Sequence, residues 1–316
     1  MTASIFIDGE AGTTGLQIKS RLEGRADVRL IHLDDATRKD ARARKAAIAA
    51  ADVAILCLPD DAAREAAKML RGGTKARVID ASTAHRIDPD WVYGFPELGP
   101  GQREKIAHAP RVSNPGCYAC SAVALIRPLI AAGLMPADFP VTLNAISGYS
   151  GGGRKMIDNY ENRNAPDYTE SPFRVYALGL EHKHTPEIQH HCGLTARPLF
   201  VPSVGRFSQG MIVQMPLHLR TLPGAPTPAD LHAVLAKHYR DAAFVAVEPL
   251  TETPPANIEP EALNGTNQLK LYVFGNAARG QAVLMAVSDN LGKGASGQAV
   301  QNLNLMLGLP EATGLV

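Results

Sequence analysis

A single thiol, Cys117, follows Pro115-Gly116 in the stretch Ser113-Asn114-Pro115-Gly116-Cys117-Tyr118, and an apolar run with helical spacing begins at Cys120. Pro-Gly forces a turn. The thiol is therefore expected at the start of a helix, where unpaired N–H groups and the positive end of the helix dipole favour the thiolate. Further along, Gly179-Leu-Glu-His182-Lys-His184-Thr-Pro-Glu187 brings two histidines and a carboxylate together just before a second helix. A thiolate with a histidine in reach performs acyl transfer through a thioester, and an imidazole of ordinary pKa about 6.5 serves as base in one step and acid in the next.

Each of these residues also has a plainer reading. Cysteine is among the most often buried residue types, and a lone cysteine is usually inert packing. Cys117-Tyr-Ala-Cys120 has the spacing of a redox switch, which would suit a nucleotide-sensing regulator without turnover. His182 and His184 share a face of an extended segment, with His190-His191-Cys192 nearby, but they lack a complete zinc ligand set, and no metal is expected.

The elements that must carry these groups read as two domains. Ser4–Asp8 is a short buried strand leading into Gly9-Glu-Ala-Gly12-Thr13-Thr14-Gly15 and then a helix from Leu16 to Leu22. Strand, glycine loop and helix in succession is the setting in which pyrophosphate meets backbone N–H groups at a helix start. A second strand, Val28–Leu33, ends at Asp34-Asp35 and is followed by Thr37-Arg38-Lys39. The acids favour an unmodified ribose and the cations a 2′-phosphate; Arg38 and Lys39 tip the expectation to NADP(H). Apolar Ala51–Pro59, a helix opening at Asp60-Asp61 and the strand Ala76–Asp80 continue an alternation that indicates βαβ units on a parallel sheet. The expected cofactor contacts are Gly9, Gly12, Thr13, Thr14, Gly15, Arg38, Cys57, Pro59 and Ser82, with Asn290 brought back by a terminal helix over 295–307.

After Cys117 the texture changes. Strand-like runs at Val141–Ser147, Gly210–Leu219, Ala243–Val247, Leu269–Phe274 and Ala282–Val287 predict a larger, mostly antiparallel sheet suited to substrate binding and subunit contacts. Ser147-Gly148-Tyr-Ser-Gly-Gly-Gly-Arg154 is too glycine-rich for regular structure, and its N–H groups and cation could cradle an anion. The fold class is α/β: a Rossmann-type dinucleotide-binding domain over 1–115, completed by the terminal helix within 291–316, and an α+β catalytic and oligomerisation domain over 116–290.

Composition narrows the remaining classes. Across 316 residues, 32 Lys plus Arg balance 31 Asp plus Glu, so no net field recruits nucleic acid or an anionic membrane. The N-terminus lacks the pattern of a signal peptide, and four irregularly spaced cysteines do not make a disulfide framework. A cytoplasmic protein with reduced thiols is expected.

Gly9 to Gly15, Ser113 to Tyr118, Ser147 to Arg154, His182-x-His184-Thr-Pro-Glu187 and Lys293-Gly-Ala-Ser-Gly-Gln-Ala-Val-Gln301 together resemble the short form of the N-acetyl-gamma-glutamyl-phosphate reductases, relatives of aspartate-semialdehyde dehydrogenase. The resemblance covers essentially the whole chain. It implies Cys117 as nucleophile, His184 as base with Glu187 close by, and His182, Arg86, Asn114, Ser147, Gly148 and Arg154 as substrate contacts. The activity implied is NADPH-dependent reduction of N-acetyl-L-glutamyl 5-phosphate to the 5-semialdehyde in arginine biosynthesis, by a homodimer or homotetramer. A semialdehyde dehydrogenase or an N-acetyl-aminoadipyl-phosphate reductase would share each step and differ in substrate length, a difference of about 1–3 kcal/mol in an apolar pocket.

Overall fold

The computed structural model describes residues 2–70 and 75–316. The chain divides into two compact units: Met1–Pro96, Pro100–Gly116 and Ala295–Val316 form one, Glu97–Gly99 and Cys117–Gly294 the other.

The first unit runs β1 (Ala3–Asp8), α1 (Thr13–Leu22), β2 (Val28–Ile31), α2 (Ala41–Ala50), β3 (Val53–Leu56), α3 (Asp60–Met69), β4 (Arg77–Asp80), β5 (Val92–Tyr93), α4 (Gln102–His108) and β6 (Arg111–Ser113). Its six strands are all parallel in the order β2-β1-β3-β4-β6-β5. Alternate strand residues feed two cores. Ile5, Ile7, Ile55 and Ile79 pack with Ile18, while Phe6, Ala54, Leu56 and Val78 pack with Ile48 and Trp91. That burial on both faces is why these strands read as continuous apolar runs.

The second unit comprises α5 (Cys117–Ala131), β7 (Thr142–Gly148), α6 (Gly153–Glu161), β8 (Phe173–Val175), α7 (Thr185–Cys192), β9 (Leu199–Gly205), β10 (Met211–His218), α8 (Pro228–His238), β11 (Val245–Val247), β12 (Leu269–Asn276) and β13 (Gln281–Ser288). Its seven strands lie in the order β11-β12-β13-β10-β7-β9-β8. Four of the six pairings are antiparallel, and β11–β12 and β7–β9 are parallel, so the sheet is mixed. Leu143, Val213, Met215, Leu271, Val273, Leu284 and Ala286 form its buried row. After β13 a π-helical turn, Gly292–Ser296, leads to α9 (Gly297–Leu307), which belongs to the first unit, where Ala299, Val300 and Leu303 join the core with Ile18.

The glycine-rich stretch 147–154 departs from the expected irregular loop. Gly148 ends β7, Tyr149–Gly152 forms a 3-10 turn and α6 starts at Gly153. Neighbouring backbone overrides the weak local propensity, because Gly148, Tyr149 and Ser150 donate their N–H groups to the carbonyls of Gly210, Phe207 and Ser208. Those three donors serve the fold, so the anion cradle expected there is not formed by them.

Arg77, at the start of β4, ties together parts of the first unit distant in sequence. Its guanidinium donates to the carbonyls of Ala107 in the last turn of α4, of Ala109 just after it and of Met306 in α9. Arg77→Ala leaves those carbonyls unpaired, and we expect a cost of about 2 kcal/mol and a melting temperature lower by about 4–8 °C in thermal denaturation.

Candidate functional site

In the first unit the glycine loop is built from close backbone approaches. Gly9 has φ +92°, and a Cβ there would lie 2.3 Å from the Cys57 carbonyl oxygen; a Cβ on Gly15 would lie 2.4 Å from Gly9 O. The loop closes through Gly12 N–H to Gly9 O at 3.0 Å. Gly12 caps α1 without a side chain, and the first turn, which holds Thr13, Thr14 and Gly15, carries no acid. Its N–H groups therefore suit an anionic diphosphate.

Beside this loop lies a cavity of about 390 Å³ lined by Asp8, Gly9, Glu10, Arg38, Lys39 and Arg44, among others. Asp8 ends β1 and receives Arg44 of α2 in a fork, with Nη2 to Oδ2 at 2.7 Å. Asp34 binds the N–H and hydroxyl of Thr37, which holds its carboxyl below the usual range, and Asp35 pairs with Arg38. The acids that competed with Arg38 in the sequence are thus engaged locally. Arg44 and Asp8 went unnoticed there because they are 36 residues apart and no motif links them.

Other expected cofactor contacts have different surroundings. Leu58 lines the cavity, between Cys57, just past β3, and Pro59, which caps α3. Ser82 is held by Asp80 through both its N–H and its hydroxyl. Asn290 is buried in the second unit, where Oδ1 accepts from Gly210 N and Nδ2 donates to Ser150 Oγ.

In the second unit Cys117 is the first residue of α5, and nearly everything after it in the helix is buried. Tyr118 donates its hydroxyl to Ser203 O and accepts from the hydroxyl of Tyr176 at 3.3 Å. The rings of His182, His184 and Phe200 meet Tyr118 edge-on at 5.8, 5.9 and 5.2 Å between centroids. His184 precedes α7 and donates its N–H to His182 Nδ1, which fixes that nitrogen as an acceptor. Glu187 is buried in the first turn of α7, and Ser147 is buried near the end of β7, where its hydroxyl donates to Gly148 O. Burial and the neighbouring thiol push the Tyr176 hydroxyl up to about 12. Between Tyr176 and His182 the chain stores strain in two non-glycine residues of positive φ, Ala177 and Leu180.

His182 and His184 are therefore assembled around the phenol of Tyr118, which follows Cys117 directly in the chain, and Glu187 lies in the helical turn after His184. Gly148 is a close-approach glycine, since a Cβ there would lie 2.3 Å from Ser208 O. Three expected substrate contacts also have protein partners of their own. Arg86 is buried and donates to Asn114 O and Ala81 O; the Asn114 amide is spent on Ala295 O and Asn302. Arg154 stands 83% exposed, paired with Asp158 one turn along α6. Sequence reasoning missed Tyr118, Tyr176 and Phe200; only the position of Tyr118 beside the thiol could have flagged any of them. Among the described residues no cluster of three metal-ligating side chains occurs.

A parallel-sheet unit with a glycine turn at its first helix and a mixed-sheet unit opening on a cysteine have the architecture of a semialdehyde dehydrogenase. Residues 7–109 match the family model for the semialdehyde dehydrogenase NAD binding domain, and residues 117–290 that for the semialdehyde dehydrogenase dimerisation domain. The chain is 56% identical over 310 residues to the N-acetyl-gamma-glutamyl-phosphate reductase of Burkholderia cenocepacia, covering 98% of both chains, and 55% identical over 309 residues to that of Brucella ovis, covering 98% and 100%. It belongs to the N-acetyl-gamma-glutamyl-phosphate reductase family. Among solved structures, a probable aspartate-semialdehyde dehydrogenase from Pseudomonas aeruginosa shares the fold at TM-score 0.70 and 16% identity, covering 97% of this chain and 99% of that one. One from Candida albicans, solved with NADP, does so at 0.66 and 13%, with the same coverage. A nicotinamide dinucleotide is the cofactor that the first unit accommodates.

The four cysteines are free thiols. Burial, with Asp80 and Asp8 adding to it, pushes Cys57 up to about 12; burial pushes Cys120 up to about 12 and Cys192 higher still. A raised pKa keeps a thiol protonated, so at pH 8 only about one in ten thousand Cys57 or Cys120 side chains is a thiolate. Iodoacetamide at that pH is expected to label Cys117 alone, as read by peptide mass spectrometry, and comparable labelling of Cys57 would contradict the assignment.

Proposed function

We propose that this protein reduces N-acetyl-L-glutamyl 5-phosphate to N-acetyl-L-glutamate 5-semialdehyde with release of phosphate, using NADPH, as a step of arginine biosynthesis. The observation that carries the reading is Cys117 at the start of a buried helix with the His184 ring against the adjoining Tyr118, in a chain of this family.

The Cys117 thiolate attacks the acyl carbon and the carbon–oxygen bond to phosphate breaks, leaving a thioester on Sγ. His184 takes the thiol proton and returns a proton to the departing phosphate. Glu187, buried in the turn that follows, holds the start of α7, and with it His184, in place. His182 and Ser147 contact the acyl group. When bound, the reduced cofactor would supply a hydride to the thioester carbon; breaking of the carbon–sulfur bond then forms the aldehyde and regenerates the Cys117 thiolate. Arg38 and Lys39, at the rim of the cavity beside the glycine loop, support selection of the 2′-phosphate and so NADP over NAD.

The test is phosphate-dependent reduction of NADP with N-acetyl-glutamate semialdehyde or aspartate semialdehyde. Wild type is expected to prefer the acetylated substrate, and Cys117→Ser to lose roughly three orders of magnitude in kcat while still binding NADPH. Arg38→Ala with Lys39→Ala should raise KM for NADP about tenfold and spare that for NAD. Turnover by Cys117→Ala would sink the covalent route.

The family model's description of residues 117–290 supports self-association, as a homodimer or homotetramer. The sheet row opposite the core, with Pro216, Tyr272, Phe274, Val283 and Met285, is only partly covered, and a second copy would bury it. Sedimentation equilibrium is expected to give two or four times the chain mass of 33.6 kDa; the monomer mass would refute the assembly.

A further inference from the structure

The mechanism above makes no use of a fully buried ion pair in the second unit. Lys293 Nζ donates to Glu97 Oε1 at 2.8 Å, with the two side chains 0% and 1% exposed. Taking both charges out of water costs several kcal/mol per ion, and apolar residues of similar volume are often as stable or more so. Stability alone therefore does not account for the pair. Its surroundings supply a reason.

Lys293 belongs to the π-helical turn Gly292–Ser296, and the next residue, Gly294, backs the nucleophile. A Cβ on Gly294 would lie 2.7 Å from Cys117 Cβ and 3.2 Å from its Cα. No side chain fits there. The start of the turn is pinned from one side by Asp289, whose carbonyl accepts Gly294 N–H and whose buried carboxylate accepts from Leu291 N, Gly265 N and Gln209 Nε2. Glu97 holds it by the Lys293 ammonium, which also lies 5.7 Å from the centre of the Phe244 ring. Glu97 is itself anchored, because its carbonyl accepts from His238 Nε2 of α8. Cys120, one turn along α5 from Cys117, feels both charges. A π-helical turn is an irregular element that persists where a site requires it.

We propose that Lys293 and Glu97 are positioning residues for the thiol: their ion pair clamps the π-helical turn against Cys117 and so fixes the direction in which its Sγ points. The proposal rests on Cys117 being the nucleophile. The pair touches no reacting atom. It acts through Gly294, so loss of the pair lowers kcat and alters thiol reactivity while leaving cofactor affinity alone.

Lys293→Met with Glu97→Met removes both charges and nearly keeps the volume. We expect this double variant to fold, with a melting temperature within about 5 °C of wild type. Its kcat should fall about tenfold at unchanged KM for NADP, with the iodoacetamide labelling rate of Cys117 altered about threefold or more. A folded double variant with both rates within about twofold of wild type would show the pair to be structural only and overturns the proposal. Should the double variant not fold, Glu97→Asp decides, since it keeps the charge but withdraws the carboxylate by one methylene. A loss of about tenfold in kcat at constant KM for NADP then supports the clamp, and wild-type kcat overturns it. If wild type reduces no acyl phosphate yet Cys117 labelling still depends on the pair, the functional reading fails and the clamp stands.

Discussion

The second unit depends on one constraint: Cys117 begins a helix that cannot turn. A helix apolar on all sides is stable only when surrounded, and α5 is buried from Tyr118 through Ile126. The strands β10 and β13 and the helices α7 and α8 pack on it. Rotating α5 to move Cys117 would expose Val123, Leu125 or Ile126, each costing on the order of 1.5–3 kcal/mol. Core burial many residues away thus places the sulfur, and the partners around it are placed by the same packing. Tyr118 reaches Ser203 on β9, and α7, lying along α5, delivers His184 and Glu187.

Backbone contact is the second device, and both units use it. Gly9 and Gly15 let the chain fold tightly on itself beside the end of β3, leaving the first turn of α1 without a side-chain cap. Gly148 and Gly294 do the same near the thiol, against Ser208 and Cys117. A Cβ at any of these four positions would sit inside 3 Å of another heavy atom, most often main chain that has nowhere to go. Polar anchors then lock the glycine segments. Asp289 gathers three amide donors, Asn290 bridges Gly210 and Ser150, and Arg77 joins α4 to α9. Each anchor is buried or nearly so and bonded, as buried polar groups must be.

This division explains what could be read from the chain alone. The parallel strands were legible because burial on both faces leaves an apolar run in sequence, and the thiol, the glycine loop and the paired histidines were legible as short motifs. Asn290, Asn114 and Arg86 were legible as polar residues in loops near those motifs. Only the folded chain shows that they also hold Gly210, Ala295 and Ala81. Arg44 with Asp8, Tyr176 with Tyr118 and Glu97 with Lys293 were invisible for the converse reason. Each is a pair separated by 36 to 196 residues, and no local pattern records such a pairing.

The two histidines show how the same geometry divides labour in the proposed reaction. His182 Nδ1 accepts the N–H of His184, so that nitrogen is occupied as an acceptor and a neutral His182 carries its proton on Nε2. Such a ring presents a hydrogen-bond donor, the group required to hold a carbonyl oxygen or a phosphate. To act as a base, His182 would have to accept a second proton at Nδ1, in competition with the amide. His184 contributes its backbone N–H to the contact. Its ring packs against Tyr118, the residue next to the nucleophile, and its main chain leads directly into α7. In the proposed reaction proton transfer belongs to His184 and substrate holding to His182, in keeping with the backbone hydrogen bond that occupies His182 Nδ1.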